Sequence, residues 1–183
     1  MRREIGSASA AAEDPLFQQL LYETLLAWGI GQRGSILVGP AEFARALEAC
    51  KSALATLEDV TIDSIKGEDD QTLSDVWQLI SSLPIVENEA RLVACTKALH
   101  HILPDLVVPM DREFTRTFFG WHVPEFQYQQ EKVFRRDFKY FVEIAKATNP
   151  ARFVGSGWKT SRTKVIDNAL VGFCRLEHLL KPT

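Results

Sequence analysis

Apolar residues in this chain recur three and four positions apart, and no alternation of apolar and polar residues runs longer than four. That spacing places one apolar stripe along a helix and leaves nothing to fill one face of a sheet, so the class is all-α. About seven helices follow. Asp14-Pro15 supplies an N-cap acceptor and a first-turn proline for a helix over 15–28, with Phe17, Leu21, Leu25 and Trp28 in phase. Pro40 opens a second, to about 57. Leu73, Val76, Trp77 and Ile80 mark a third, which stops before Pro84. The others span about 88–103, a short stretch from Asp111 to Phe119, 124–147 and 160–180. Ala90, Ala94 and Ala98 give the 88–103 helix a small-residue face, which predicts close packing against Ala169 and Gly172 of the last helix.

The stretch from Leu83 to Trp121 is the most apolar part of the chain, yet it holds Lys97, His100, His101, Asp111 and Arg112. Ionisable groups in a buried segment must be paired, solvated through a cleft, or functional. Pro104 and Pro109 keep the link between its two helices extended. Asp111 then stands where an N-cap belongs. It is either that cap, or a carboxylate available to chemistry, or the partner of Lys97 or Arg112 in a buried ion pair. Lys97 either snorkels to solvent or approaches Asp111 across the turn. His100 is the accompanying candidate for catalysis. Adjacent helix residues point about 100° apart, so His100 and His101 cannot share one metal ion, and no metal or cofactor site is expected.

Composition narrows the setting. Hydrophobic residues make up 46% of the 183 positions and charged residues 25%, enough for a real core in a single domain over 14–183. No apolar run approaches the roughly 18 residues of a membrane span. The start, MRREIGSASAAAEDP, lacks the apolar core of a secretory signal and reads as a flexible tail over 1–13. Cys50, Cys95 and Cys174 are odd in number and far apart, as expected of reduced thiols in a cytoplasmic protein. Residues 1–90 hold six Lys and Arg against fifteen Asp and Glu, a net −9; residues 91–183 hold fifteen against nine, +6, which together give −3. The basic half suggests an anionic partner, or else charge pairing within the molecule.

The densest candidate for anion binding opens the last helix. In WKTSRTK, free backbone donors, Ser161 and the cations Lys159, Arg162 and Lys164 would favour a phosphate or carboxylate, with Lys97 and Arg112 as further contributors. The plainer reading is a solvated helix start with a Ser cap. Trp158 is either a base-stacking aromatic beside Lys159, Arg135, Arg136 and Lys139, or part of the core. P-loop, GxGxxG, HExxH and GxSxG motifs are absent.

The segments LLYETLLAWGIGQRGS, TKALHHILPDLVVPMDREFTRTFFGW and WKTSRTKVIDNALVGF resemble a prokaryotic protein family of unassigned function over most of residues 20–175. That resemblance implies that Trp28-Gly29, Lys97, His100, Asp111, Arg112 and 160–168 form a common motif set. A second, remote resemblance joins LPIVENEARLV and VVPMDREFTRTFFG to the helix-hairpin-helix DNA glycosylase superfamily. Leu83, Pro84 and Val86 match its hairpin, and Asp111 falls on its catalytic aspartate. Ile85 and Glu87 replace the hairpin glycines, and Glu89 stands where bifunctional members keep a lysine. The resemblance implies a glycosylase-like cleft for nucleic acid or a nucleotide-like, phosphate-bearing ligand, without base excision. The competing expectations are a non-enzymatic helical interaction module and a hydrolase of a small anionic substrate through Asp111 and His100.

Overall fold

The computed structural model describes residues 5–31, 34–66 and 70–177, Asp70 in its backbone only. The chain is all-helical, and no strand forms among these residues. Among the described residues ten α-helices are bounded: α1 (Ala8–Glu13), α2 (Pro15–Ala27), α3 (Pro40–Ala49), α4 (Lys51–Leu57), α5 (Asp70–Ser82), α6 (Arg91–Ile102), α7 (Phe114–Phe118), α8 (Val123–Tyr128), α9 (Gln130–Thr148) and α10 (Arg162–Leu176), with a 3-10 turn at Pro150–Phe153. The last helix, expected to reach Leu180, is described only as far as Leu176, and residues 178–183 lie outside the described set.

Three additions raise the expected seven helices to ten. The 40–57 helix breaks at Cys50, where φ −94° and ψ 0° tighten the turn. The 124–147 helix breaks at Gln129, and the next residue turns its side chain to another helix: Gln130 Oε1 accepts Leu92 N–H at 2.7 Å, and its Nε2 donates to Glu89 O. The third is α1, inside the stretch expected to be a tail. Ser7 caps it by accepting from Ala10 N, Glu58 Oε2 accepts Ala8 N–H at 2.7 Å, and Ala8, Ala11 and Ala12 are fully buried.

Helix α6 is the hub, packed by α1, α2, α5 and α9. Ala94, Cys95, Ala98, Leu99 and Ile102 are all buried in it. The expected small-residue contact with the last helix does not form. Helix α10 packs chiefly on α7, α9 and the 3-10 turn. Ala169 is exposed, and a Cβ added to Gly172 would meet nothing within 4 Å. The alanines of α6 serve its other neighbours instead.

The 83–90 segment is not a free hairpin. It lies antiparallel to the loop before α3, with a bridge between Leu37 and Val86. Val38 N–H donates to Ile85 O at 3.1 Å, and Glu87 N–H to Ile36 O at 2.9 Å. Ser35 Oγ donates to Ala90 O.

A second anchor fixes the loop between α7 and α9. Asp137 is fully buried, and both its oxygens accept Trp121 Nε1–H at 3.0 Å. Arg136 approaches the same carboxylate at 3.3 Å, donates to Phe119 O and lies 3.4 Å from the Trp121 ring centroid. Burial raises the Asp137 pKa to about 6, opposed by the Trp121 bond and Arg136. Asp137→Ala should cost on the order of 3–5 kcal/mol, because it strands a buried indole donor and a cation. Asp137→Asn keeps an acceptor and should cost clearly less. Urea unfolding of the two variants at pH 7 measures the difference.

Candidate functional site

Four segments meet at a cleft of about 180 Å³ lined by Trp28, Lys97, Pro109, Asp111, Phe114, Lys164, Asp167 and Val171. Trp28 sits at the end of α2, where Gly29 takes φ +77° and Ile30 N–H closes back on Leu25 O. That left-handed glycine terminates the helix and leaves the indole at the cleft mouth, 36% exposed. Lys97 projects from α6 one turn before His101. Lys164 and Asp167 come from the first turns of α10.

The link from α6 delivers Asp111. Met110 N–H donates to Thr96 Oγ1 at 3.1 Å, which ties the end of the link to α6. Asp111 Oδ1 then accepts the backbone N–H groups of Glu113, Phe114 and Thr115 at 2.9, 2.6 and 3.3 Å, while Thr115 Oγ1 accepts Asp111 N–H. The cap is real, and it uses only Oδ1. No cation lies within ion-pair distance of Asp111 among the described residues, so the buried pair with Lys97 or Arg112 does not form. Arg112 points elsewhere: its guanidinium occupies the space that a Cβ on Gly34 would need, 2.1 Å away.

The electrostatics around Trp28 are uneven. Lys97 Nζ and Lys164 Nζ lie 5.5 and 5.8 Å from its ring centroid, within cation–π range. The His101 ring packs on the same indole, with centroids 4.9 Å apart. Lys164 is held by Asp167 at 2.5 Å. Burial raises the pKa of Asp167 against the pull of Lys164. Lys97 makes no hydrogen bond or ion pair among the described residues. Burial lowers its pKa, the charges of Asp111 and Asp167 raise it, and Lys164 lowers it further.

The structure thus brings together Lys97, Asp111 and Lys164 of the sequence candidates and leaves the rest outside. Ser161 is the N-cap of α10, accepting from Lys164 N at 3.2 Å. Arg162 staples three segments, with Nε 3.3 Å from Asp63 Oδ1 and an Nη 3.4 Å from Asp105 Oδ1. Lys159 is exposed on the turn before α10. His100 is buried away from the cleft: Nδ1 lies 3.1 Å from Val107 O and 2.9 Å from Thr163 Oγ1. Thr163 gives its own proton to Pro104 O, so Nδ1 must carry the hydrogen, and burial, which pushes the pKa down to about 3, keeps the ring neutral at pH 7. Trp28, Asp167 and His101 join the site although none was a candidate site residue; Trp28 and Asp167 fall within the motif set that the family resemblance implies, and His101 within the ionisable group of the apolar stretch. The i,i+3 spacing of Lys164 and Asp167 was the available signal.

A larger groove of about 530 Å³ between α2 and α3 is lined by Pro15, Gln18, Tyr22, Leu26, Pro40 and neighbours, with Glu23 as its one carboxylate. It offers no comparable chemistry. Among the described residues no group of His, Cys, Asp and Glu is placed to hold a metal ion, and no helix is long and apolar enough to cross a membrane. No protein-family model, no curated protein and no solved structure matches the chain.

Asp111→Asn should cost at most about 1 kcal/mol in urea unfolding, since Asn caps about as well and only the charge–dipole attraction is lost. A loss on the order of 3–5 kcal/mol would instead mark a buried ion pair.

Acid should destabilise the protein through the α6 histidines. Burial pushes the pKa of His100 to about 3, helped by His101, and that of His101 to about 4, helped by Lys164. The unfolded chain binds these protons first. Stability is therefore complete above pH 6.5 and falls as pH drops toward 4, by up to about 1.4 kcal/mol per unit per ring. Asp137, below about pH 6, and Asp167, whose pKa burial also raises, act in the opposite sense, but the histidine loss begins first, from pH 6.5. The melting temperature should fall from pH 7 to pH 5, and less steeply in His100→Asn, which keeps a donor near Nδ1.

Proposed function

We propose that the cleft between α2, α6 and α10 binds a small nucleotide-like anion, with its charged group on Lys97 and its donor groups toward Asp111. The observation that carries this reading is the unpaired Lys97 ammonium. A half-buried cation without an acceptor is costly, and an incoming phosphate or carboxylate satisfies it with a charge-assisted hydrogen bond. Asp111 Oδ2, outside the cap, is a matching acceptor. A volume of about 180 Å³ is smaller than the roughly 300 Å³ and upward of drug-sized sites, which suits a single ring or acid group with the remainder outside.

The placement of Asp111 at a helix start after an extended link supports the remote glycosylase-like reading of the fold. The backbone of the 83–87 segment argues against hairpin delivery of DNA, because the Glu87 N–H is already committed to Ile36. A nucleic-acid strand is favoured as a second reading by one feature: Trp158 is 81% exposed between Gly157 and Lys159, with its backbone held by Asn168. An aromatic so displayed is a stacking platform for a base.

Calorimetric titration with inorganic phosphate and nucleoside monophosphates tests the cleft. Wild type should bind, Lys97→Met should weaken binding at least about tenfold, as loss of a charged hydrogen bond implies, and Lys159→Met should leave it unchanged. Equal affinity in wild type and Lys97→Met would refute the reading.

A further inference from the structure

We propose that Lys97 is a carbonyl-reactive amine that forms a reversible imine with a small aldehyde or ketone bound in the cleft, and that the natural ligand is therefore an oxo acid or a phosphorylated carbonyl compound. This rests on the reading of the cleft as a ligand site and names the reactive group of its ligand.

The lysines of this protein are not equivalent. Of the eight described, six are exposed, and Lys164 is bonded to Asp167. Lys97 alone is partly buried with no acceptor. Its surroundings suit an amine nucleophile. Trp28, Pro109, Phe114 and Val171 supply apolar walls, and the Lys164 ammonium shares the same indole. Desolvation and a neighbouring cation both favour the neutral amine over the ammonium. The carboxylates of Asp111 and Asp167 face the amine from the link and from α10 and oppose that effect, while His101 on its own helix is neutral at pH 7. The lowered pKa of Lys97 is the balance of these groups, with burial the largest. Asp167 is occupied by Lys164, which leaves Asp111 as the carboxylate free to move a proton.

The reaction balances without a redox partner. The Nζ lone pair adds to the carbonyl carbon, a C–N bond forms, and the C=O π pair moves to oxygen. Nζ loses a proton, the oxygen gains one, and Asp111 Oδ2 can carry it between them, giving a carbinolamine. The nitrogen lone pair then expels the hydroxyl, which leaves with a proton as water. One amine and one carbonyl become one imine and one water, and hydrolysis reverses each step. Lys164 would hold the carboxylate or phosphate of the same ligand, in exchange with Asp167.

The test is reductive trapping on the full chain with glyoxylate and cyanoborohydride, followed by intact mass and peptide mapping. The first adduct should map to Lys97, at least about tenfold faster than to exposed lysines, with a half-rise in rate at lower pH than theirs. Lys97→Arg should abolish that fast phase. Lys164→Gln removes the neighbouring cation and should slow it at pH 7. Adducts spread over the exposed lysines with Lys97 lagging, or a fast phase that persists in Lys97→Arg, would overturn the proposal. The mapping is done on wild type, so it decides even if a variant fails to fold. Calorimetric binding that depends on Lys97, without a trapped adduct, would overturn the imine and leave the anion site standing. A Lys97 adduct without phosphate or nucleotide affinity would support the imine and remove the nucleotide-like ligand.

Discussion

An extended segment buried without a strand partner must still satisfy its backbone, and the arrangement of this molecule follows from how residues 103–110 do so. Two prolines remove donors and forbid a helix. The N–H groups of Leu106 and Val107 close a turn on Leu103 O, and other groups turn to side chains: Val107 O to His100, Pro104 O to Thr163, Met110 N–H to Thr96. Asp105 O accepts Ile62 N–H, which draws in the loop before α5. These bonds join the link to α6, to α10 and to the loop before α5. Together they fix the distance between α6 and the start of α10, and so they set the width of the cleft in which Lys97 faces Lys164. His100 belongs to this scaffold. Its ring donates from Nδ1 to the link and is buried away from the cleft, so it does not stand beside Asp111 as a base.

The parts of the fold that were legible in sequence are those in which burial follows periodicity. Helix α6 and the apolar faces of α2 and α9 could be drawn from the spacing of Leu and Phe alone. The breaks at Cys50 and Gln129 carry neither proline nor glycine. They arise from tertiary demands, as when Gln130 caps the start of α6 from across the core. Helix α1 was hidden for another reason. Alanine and serine make no apolar stripe, and only the closeness of α3 and α4 turns Ala8, Ala11 and Ala12 into core.

The candidate site was legible in outline. Ionisable residues inside an apolar stretch marked Lys97 and Asp111, and the basic start of α10 marked Lys164. What sequence could not show was which cations would be claimed by carboxylates. Arg162 meets Asp63 and Asp105, Arg135 pairs with Glu131, Arg136 with Asp137 and Lys132 with Glu125. Of these pairs only Arg162–Asp63 joins the basic half to the acidic one. The cations that are paired are therefore answered mostly within the basic half, which reduces the field it presents to a polyanion.

The same accounting isolates Lys97. The carboxylate nearest in purpose, Asp111, is committed through Oδ1 to three backbone donors at the start of α7. The next, Asp167, is committed to Lys164 on its own helix. The cap holds Asp111 beyond ion-pair distance of Lys97, so Asp111 would have to leave its backbone donors to reach it, and Asp167 would have to release Lys164. A helix cap is worth about 1 kcal/mol, and an i,i+3 pair on a helix usually less, so the barrier to such exchange is small. It is nonetheless enough to keep the amine unpaired in the absence of ligand. An anion that enters the cleft can meet Lys97 without breaking the cap at Asp111. The cap at Asp111 and the reactivity of Lys97 are thus one feature: the carboxylate that would have neutralised the lysine is held by the helix it begins.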